Sequence, residues 1–247
     1  MAIQFDEIGE KYDPIKRFPV IRYGETFTVQ KMLGDISGKS VIDLACGTGF
    51  YTRMLKKMGA SRVVGVDVSE EMLNVARQQE AENPLGIRYM TSDVVALIEE
   101  IGRFDIVLAV YLLNYADSDE TLRAMLQKTH DLLAPNGQLI AYTFNPEFTL
   151  RKGNASKYKF TVAYRDEYPP VPHRHPVSVT VNFESPVVIK NYQWDAIAYQ
   201  QVASRVGFRE LVWHPVEVSS QGVEEYGQGF WAEYLDNSIV SGFRCVK

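Results

Sequence analysis

Short apolar runs alternate with segments of helical spacing between residues 41 and 144. Val41 to Leu44 reads as a buried strand, because a strand covered on both faces needs no polar alternation. Phe50, Met54, Leu55 and Met58 then recur at helical spacing, and Gly59 is placed to end that helix. SRVVGVDVS (61–69) predicts a second strand ending at Asp67. Ser69 caps the next helix, whose inner face carries Met72, Leu73 and Ala76. A third strand is expected over 87–93, with Asp93 at its end, followed by a short helix over Val94 to Glu100. FDIVLAVYLL (104–113) is the fourth strand and the most apolar. Asp119 caps a helix to about Leu133, with Leu122, Met125, Leu126, Thr129, Leu132 and Leu133 on one side. APNG (134–137) stops it, and QLIAYTF (138–144) is the fifth strand. Such alternation predicts an α/β fold: a doubly wound, mostly parallel sheet with right-handed crossovers.

Outside this stretch the pattern changes. Residues 1–33 read as partly helical, with Pro14 and Pro19 keeping any helix short, and GDISGKS (34–40) is a turn cluster. Residues 146–193 are rich in proline and aromatics and lack a helical period. YKFTVAY, VSVTVNF and PVVIKNY alternate as strands do, which predicts a β-rich insertion over the C-terminal edge of the sheet. Asp195 caps a helix to Val206 that Gly207 ends, and FRELVW (208–213) and IVSGFRCVK (239–247) are two last strands. The expected organisation is a single domain. Residues 1–36 form an N-terminal helical lid, 37–145 a ligand-binding core, 146–194 the insertion and 195–247 the remainder of the sheet.

Composition narrows the class. Apolar residues make up 46% and charged residues 23%, as in ordinary soluble domains. A net charge of −5 with no run of Lys or Arg disfavours a nucleic-acid partner, whose phosphates would repel it. Two cysteines, Cys46 and Cys245, form neither a disulfide framework nor a zinc pattern and suit a reducing compartment. The N-terminus lacks a signal-peptide core, and FDIVLAVYLL is too short to span a bilayer. A cytoplasmic protein with no membrane partner is expected, and nothing in the pattern fixes an oligomeric state.

The chemistry concentrates in VIDLACGTGFYT (41–52). A strand, a Gly-rich turn and a helix N-terminus together present backbone N–H groups and partial positive charge. A phosphate loop needs Lys and Ser/Thr after its second glycine, where this chain has Phe50 and Tyr51. A dinucleotide site wants a third glycine, where Thr52 stands, and Asp43 sits badly beside a pyrophosphate. S-adenosylmethionine has no phosphate and carries a sulfonium and an amino group, so an acid beside the loop suits it. The spacing Asp43, Ala45, Gly47, Gly49 fits that ligand. Asp67, closing the second strand, can accept from both ribose hydroxyls, as NAD sites also arrange. Asp93 can accept from the adenine amino group while the Val94 N–H donates to the ring. Three acids in register at one sheet edge fall where open parallel sheets bind ligands.

VIDLACGTGFYTRML, VVGVDVSEEML, TSDV, FDIVLAVYLLNY and LLAPNGQLI resemble the successive motifs of class I S-adenosylmethionine-dependent methyltransferases over roughly residues 37–145. The resemblance implies a Rossmann-like sheet of seven strands with one antiparallel C-terminal strand, which IVSGFRCVK supplies. With Asp43, Ala45, Gly47, Gly49, Asp67, Asp93 and Val94, the expected cofactor site includes Val68, Met72, Ser92, Val110 and Tyr115. FDEIGEKYDPIKRFPVIRY and the aromatic insertion resemble small-molecule methyltransferases of bacterial secondary metabolism, the toxoflavin-type N-methyltransferases in particular.

Methyl transfer from a sulfonium needs an aligned nucleophile and exclusion of water. A ring nitrogen with a lone pair needs no base, whereas a hydroxyl does. Tyr12, Tyr111 and Asn114 are the candidates for positioning the acceptor. Phe18, Arg22, Phe144, His175 and Trp194 complete the expected substrate set, which suits a small flat or heterocyclic metabolite. With no base or metal cluster visible, a ring nitrogen is the expected acceptor, and O-methylation of a hydroxyl or carboxyl is the alternative. Plainer roles compete: core or lid packing for Trp194 and Tyr12, a salt bridge for Arg22, a turn or cap for Asp93, a buried filler for Cys46. His173 and His175 share a strand face but have no Cys or third histidine nearby, so a metal is not expected. Rival functions are a nicotinamide dehydrogenase, a base-methylating enzyme and a cofactor-binding module without catalysis. The second is disfavoured by YLLNYAD standing where an N/D-P-P-Y/F motif belongs.

Overall fold

A computed structural model of the protein describes residues 13–97, 101–167 and 170–247. Strands β1 (Ser40–Leu44), β2 (Arg62–Asp67), β3 (Arg88–Thr91), β4 (Phe104–Val110), β5 (Leu133–Phe144), β9 (Glu210–His214) and β10 (Val240–Val246) form one sheet. Its order is β3-β2-β1-β4-β5-β10-β9. β1 to β5 pair in parallel, and β10 runs antiparallel to both β5 and β9. The insertion supplies β6 (Phe160–Tyr164), β7 (Arg174–Val181) and β8 (Val187–Trp194), a second antiparallel sheet.

Side chains alternate across the main sheet and build two cores. Val41, Val63, Ile106, Leu108 and Val110 face one, and Ile42, Val64, Val66, Val107 and Ala109 face the other. The first core also holds Ile15, Val20 and Ile21 from the N-terminal segment and Val162, Val177, Val179 and Val181 from the inserted sheet. The lid and the insertion therefore pack together on one face of the fold, at the end where the parallel strands finish.

The helices are α1 (Thr26–Leu33), α2 (Phe50–Lys57), α3 (Glu70–Glu82), α4 (Asp119–Leu132), α5 (Ala196–Val206), α6 (Ser220–Tyr226) and α7 (Gln228–Asp236). A π-helical turn, Val20–Glu25, leads into α1, so the helical run after Pro19 is longer than expected. Pro19 occupies the N-cap, where a missing N–H costs nothing. The cap of α4 is Ser118, whose hydroxyl accepts from the Thr121 N–H at 3.1 Å, so Asp119 instead stands in the first turn. Of the short helix expected over Val94 to Glu100, residues 94–96 are a turn, in which Asp93 Oδ1 accepts the Val95 N–H at 2.8 Å, and residues 98–100 lie outside the described residues. The fourth strand stops at Val110, where Tyr111 takes φ +60° and a 3₁₀ turn, Leu113–Tyr115, follows. APNG does not separate helix from strand. β5 already begins at Leu133, and the partner register jumps from Phe104↔Leu133 to Ile106↔Gln138 across that bulge. Asp195 is at the N-cap of α5 but makes no side-chain cap; its carboxylate turns to His173 Nδ1 at 2.9 Å. Helices α6 and α7 carry no periodic signal strong enough to foresee, and they bury Trp231 and Tyr234. No helix among the described residues is long and apolar enough to cross a membrane.

Candidate active site

The loop between β1 and α2 turns three times through positive φ, at Ala45 (60°), Gly47 (54°) and Gly49 (83°). The two glycines have different duties. A Cβ on Gly47 would meet nothing within 4 Å, so its bareness keeps a cavity wall open. A Cβ on Gly49 would lie 2.5 Å from the Tyr89 hydroxyl and 3.2 Å from Ala76 Cβ, so this glycine lets the loop pack on α3 and β3. The Asp67 carboxylate is fixed from two sides, accepting from the Gly47 N–H at 2.7 Å and the Ser69 N–H at 2.9 Å.

The loop and the C-terminal ends of β2, β3 and β4 line a cavity of about 920 Å³, its open mouth included. Ala45, Gly47, Asp67, Val68, Met72, Ser92, Asp93, Val94, Val110 and Tyr115 of the expected cofactor set all lie on its wall. Asp43 and Gly49 do not. Asp43 is buried beneath the loop, where its Oδ2 accepts from the Thr52 hydroxyl at 2.7 Å. Burial raises its pKa to about 7, against the lowering effect of that hydrogen bond; the Asp67 charge adds to the rise and Lys16 opposes it. Thr52, in the third-glycine position, thus holds the acid under the loop. Burial also raises the Cys46 thiol well above its ordinary range, so it is no thiolate nucleophile.

A second cavity adjoins the first. It holds about 1040 Å³ with its mouth and lies between the lid, the inserted sheet and the segment 233–240. Its wall is largely apolar, with Val20, Ile21, Phe144, Phe160, Val181 and Ile189 among the side chains. Lys16, Tyr111 and Tyr115 line both cavities. Of the expected substrate residues, Tyr111, Asn114 and Phe144 are on this wall. Four stand away from both cavities. Phe18 packs its ring against Phe160 and Phe183, at 5.8 and 5.5 Å. Arg22 is exposed, its guanidinium 5.0 Å from the Tyr23 ring. His175 is also exposed, with Nε2 3.5 Å from Asp195. Trp194 is fully buried in the opposite core, and its Nε1 donates to the Ala116 carbonyl at 3.0 Å. Tyr12 lies outside the described residues. The buried amides of Asn114 and Asn191 each leave Oδ1 without a hydrogen-bond partner among the described residues, and both side chains line this cavity.

Sequence reasoning misses the most polar feature of the junction. Glu25, at the end of the π-helical turn, is wholly buried on the wall of the second cavity. It accepts from the Tyr51 hydroxyl at 2.5 Å and from the Tyr111 hydroxyl, and Lys16 Nζ stands 3.7 Å away. Burial, with the Glu25 charge next in size, holds the Tyr111 phenol well above its usual range, so it stays protonated. No motif surrounds Glu25; only the contiguity of an acid with a proline-marked helix start hints at it.

Residues 41–137 match the family model described as a methyltransferase domain. The match covers about two fifths of the chain, the part that carries β1 to β4, the start of β5 and the loop after β1. The chain is 34% identical over 113 residues to a ubiquinone biosynthesis O-methyltransferase of Coxiella burnetii, covering 46% of this chain and 47% of that protein. A demethylmenaquinone methyltransferase of Thermus thermophilus is 32% identical over 148 residues, covering 58% and 64%. The chain thus spans about half to two thirds of the length of these curated relatives. The crystal structure of an S-adenosylmethionine-dependent methyltransferase from Mesorhizobium loti superposes with a TM-score of 0.64 at 18% identity, covering 94% of this chain and all (100%) of that one. That likeness is one of fold and takes in nearly the whole chain.

Proposed function

We propose that the protein transfers a methyl group from S-adenosylmethionine to a small, flat metabolite, with a ring nitrogen of a heteroaromatic such as a toxoflavin-like azapteridine as the leading acceptor. The observation that carries this reading is the pair of adjoining cavities at the C-terminal ends of the parallel strands, meeting at Tyr111. The first cavity fits the cofactor: Gly47 leaves its wall bare, and Asp67 is pre-oriented by two backbone donors. Asp67 would accept from the ribose hydroxyls, Asp93 and the Val94 N–H would address the adenine, and Met72 and Val110 would flank it. The bound cofactor supplies an activated methyl group. The protein's own share is to orient the acceptor against Tyr111 and to keep water out with the lid and the inserted sheet.

O-methylation is the second reading. It is favoured by the Glu25–Tyr111 pair at the junction, a base that the sequence does not reveal, and is in keeping with an O-methyltransferase among the relatives.

Titration with S-adenosylhomocysteine and, separately, with NAD tests the cofactor. Saturable binding of the first is expected, with at least a tenfold loss in Asp67→Ala at unchanged folding by circular dichroism. Tight binding of NAD alone, or full affinity in the variant, would count against the reading.

A further inference from the structure

Glu25 is a carboxylate with no exposed surface at the meeting point of two cavities. Natural proteins seldom bury a lone carboxylate, and this one is stabilised by a deliberate set of partners. Tyr51 comes from the first cavity's wall, Tyr111 from the shared wall, and Lys16 from the lid. Because both phenol hydrogens point at Glu25, the Tyr111 oxygen keeps lone pairs for an acceptor on its other side. A sulfonium donor has no use for a base unless the acceptor must lose a proton. Resting on the methyl-transfer reading above, we propose that the true acceptor is a ring N–H or aromatic O–H, and that Tyr111 takes its proton while passing its own to Glu25.

The balance is simple. The acceptor's N–H or O–H bond breaks, and its electron pair forms the new bond to the methyl carbon. The sulfur–methyl bond breaks toward sulfur and leaves a neutral thioether. The proton moves to Tyr111 Oη, the Tyr111 proton moves to Glu25, and it returns to solvent when product leaves. Tyr111 is the catalytic residue here and Glu25 a positioning and proton-storing one. Among the described residues, the charged and titratable groups facing Glu25 are Lys16, Tyr51, Tyr111, Tyr142 and Tyr234. Lys16 is the one cation among them, with its Nζ 3.7 Å from the Glu25 carboxylate.

Three bicyclic probes of similar size separate the acceptor classes: quinazoline-2,4-dione with ring N–H groups, 2-naphthol with an O–H, and quinoline with a bare lone pair. Each is incubated with methyl-labelled S-adenosylmethionine, and products are read by mass spectrometry for the wild type, Glu25→Gln and Tyr111→Phe. The expected result is methylation of at least one proton-bearing probe in preference to quinoline. Both variants should lower kcat by about a hundredfold at a KM within a few-fold of wild type. Preferred methylation of quinoline, methylation of none of the probes, or an unchanged kcat in Tyr111→Phe overturns the inference. Tyr111→Phe retains Glu25 and keeps the test decisive where Glu25→Gln does not fold. S-adenosylhomocysteine titration of the same samples separates the two failures. Lost proton transfer with intact binding refutes only this step, whereas no binding by the wild type refutes the methyl-transfer reading itself.

Discussion

Asp43 and Asp67 close neighbouring strands yet experience opposite surroundings. Asp67 receives two backbone N–H groups at a cavity wall, whereas Asp43 lies buried under the loop, where it accepts from the Thr52 hydroxyl and the Thr52 N–H. The folded pKa of Asp43, about 7, exceeds its ordinary 3.8. The folded state therefore binds this proton more tightly than the unfolded chain does. The advantage is complete below about pH 4 and is lost as pH rises through 7. Asp43→Asn has no such proton to lose. Urea unfolding from pH 4 to 8 should show the Asn variant gaining stability relative to wild type, on the order of a few kcal/mol across that window. A pH-independent difference would show that Asp43 ionises as freely in the fold as outside it. These acids were readable because each follows an apolar run that ends at one sheet edge. Glu25 was not, because its partners Tyr51 and Tyr111 stand 26 and 86 residues further along the chain. Only the folded lid brings them together.

At the scale of elements, apolar runs and helical periods place every strand of the main sheet, and all but β5, which begins five residues early, agree to within three residues at each end. The pattern missed where local side chains redirect the backbone: the Asp93 ring that makes a turn of 94–96, the Ser118 cap, and the bulge at Ala134 to Gly137. The joint between β8 and α5 shows a different limit. An aromatic before a helix reads equally as pocket or core, and Trp194 is core because its indole N–H reaches the Ala116 carbonyl behind the sheet. Trp194→Phe removes that bond and part of a buried volume. The expected cost is about 2–4 kcal/mol in denaturant unfolding, with the S-adenosylhomocysteine affinity unchanged within twofold. A large loss of affinity at unchanged stability would move Trp194 back into the site.

For the molecule as a whole, the lid and the inserted sheet share one core on one face of the main sheet. Their joint packing makes the second cavity, so that cavity belongs to neither segment alone. That cavity was not legible from composition, since it depends on three stretches far apart in the chain meeting over β5. The main sheet carries its own vulnerability. β10 sits between β5 and β9, and its residues are the last of the fold in chain order. A chain ending at residue 239 leaves two facing strand edges unpaired, and it is expected in the pellet after centrifugation of a lysate. A soluble monomer with native circular dichroism would contradict this. The same geometry has a consequence on the ribosome. Synthesis releases β5 long before β10, so its outer edge must wait, unpaired, while the insertion and helices α5 to α7 emerge. Nascent chains of this protein should therefore depend on whatever shields strand edges during translation, and a stall late in the message should be more damaging than one near its start.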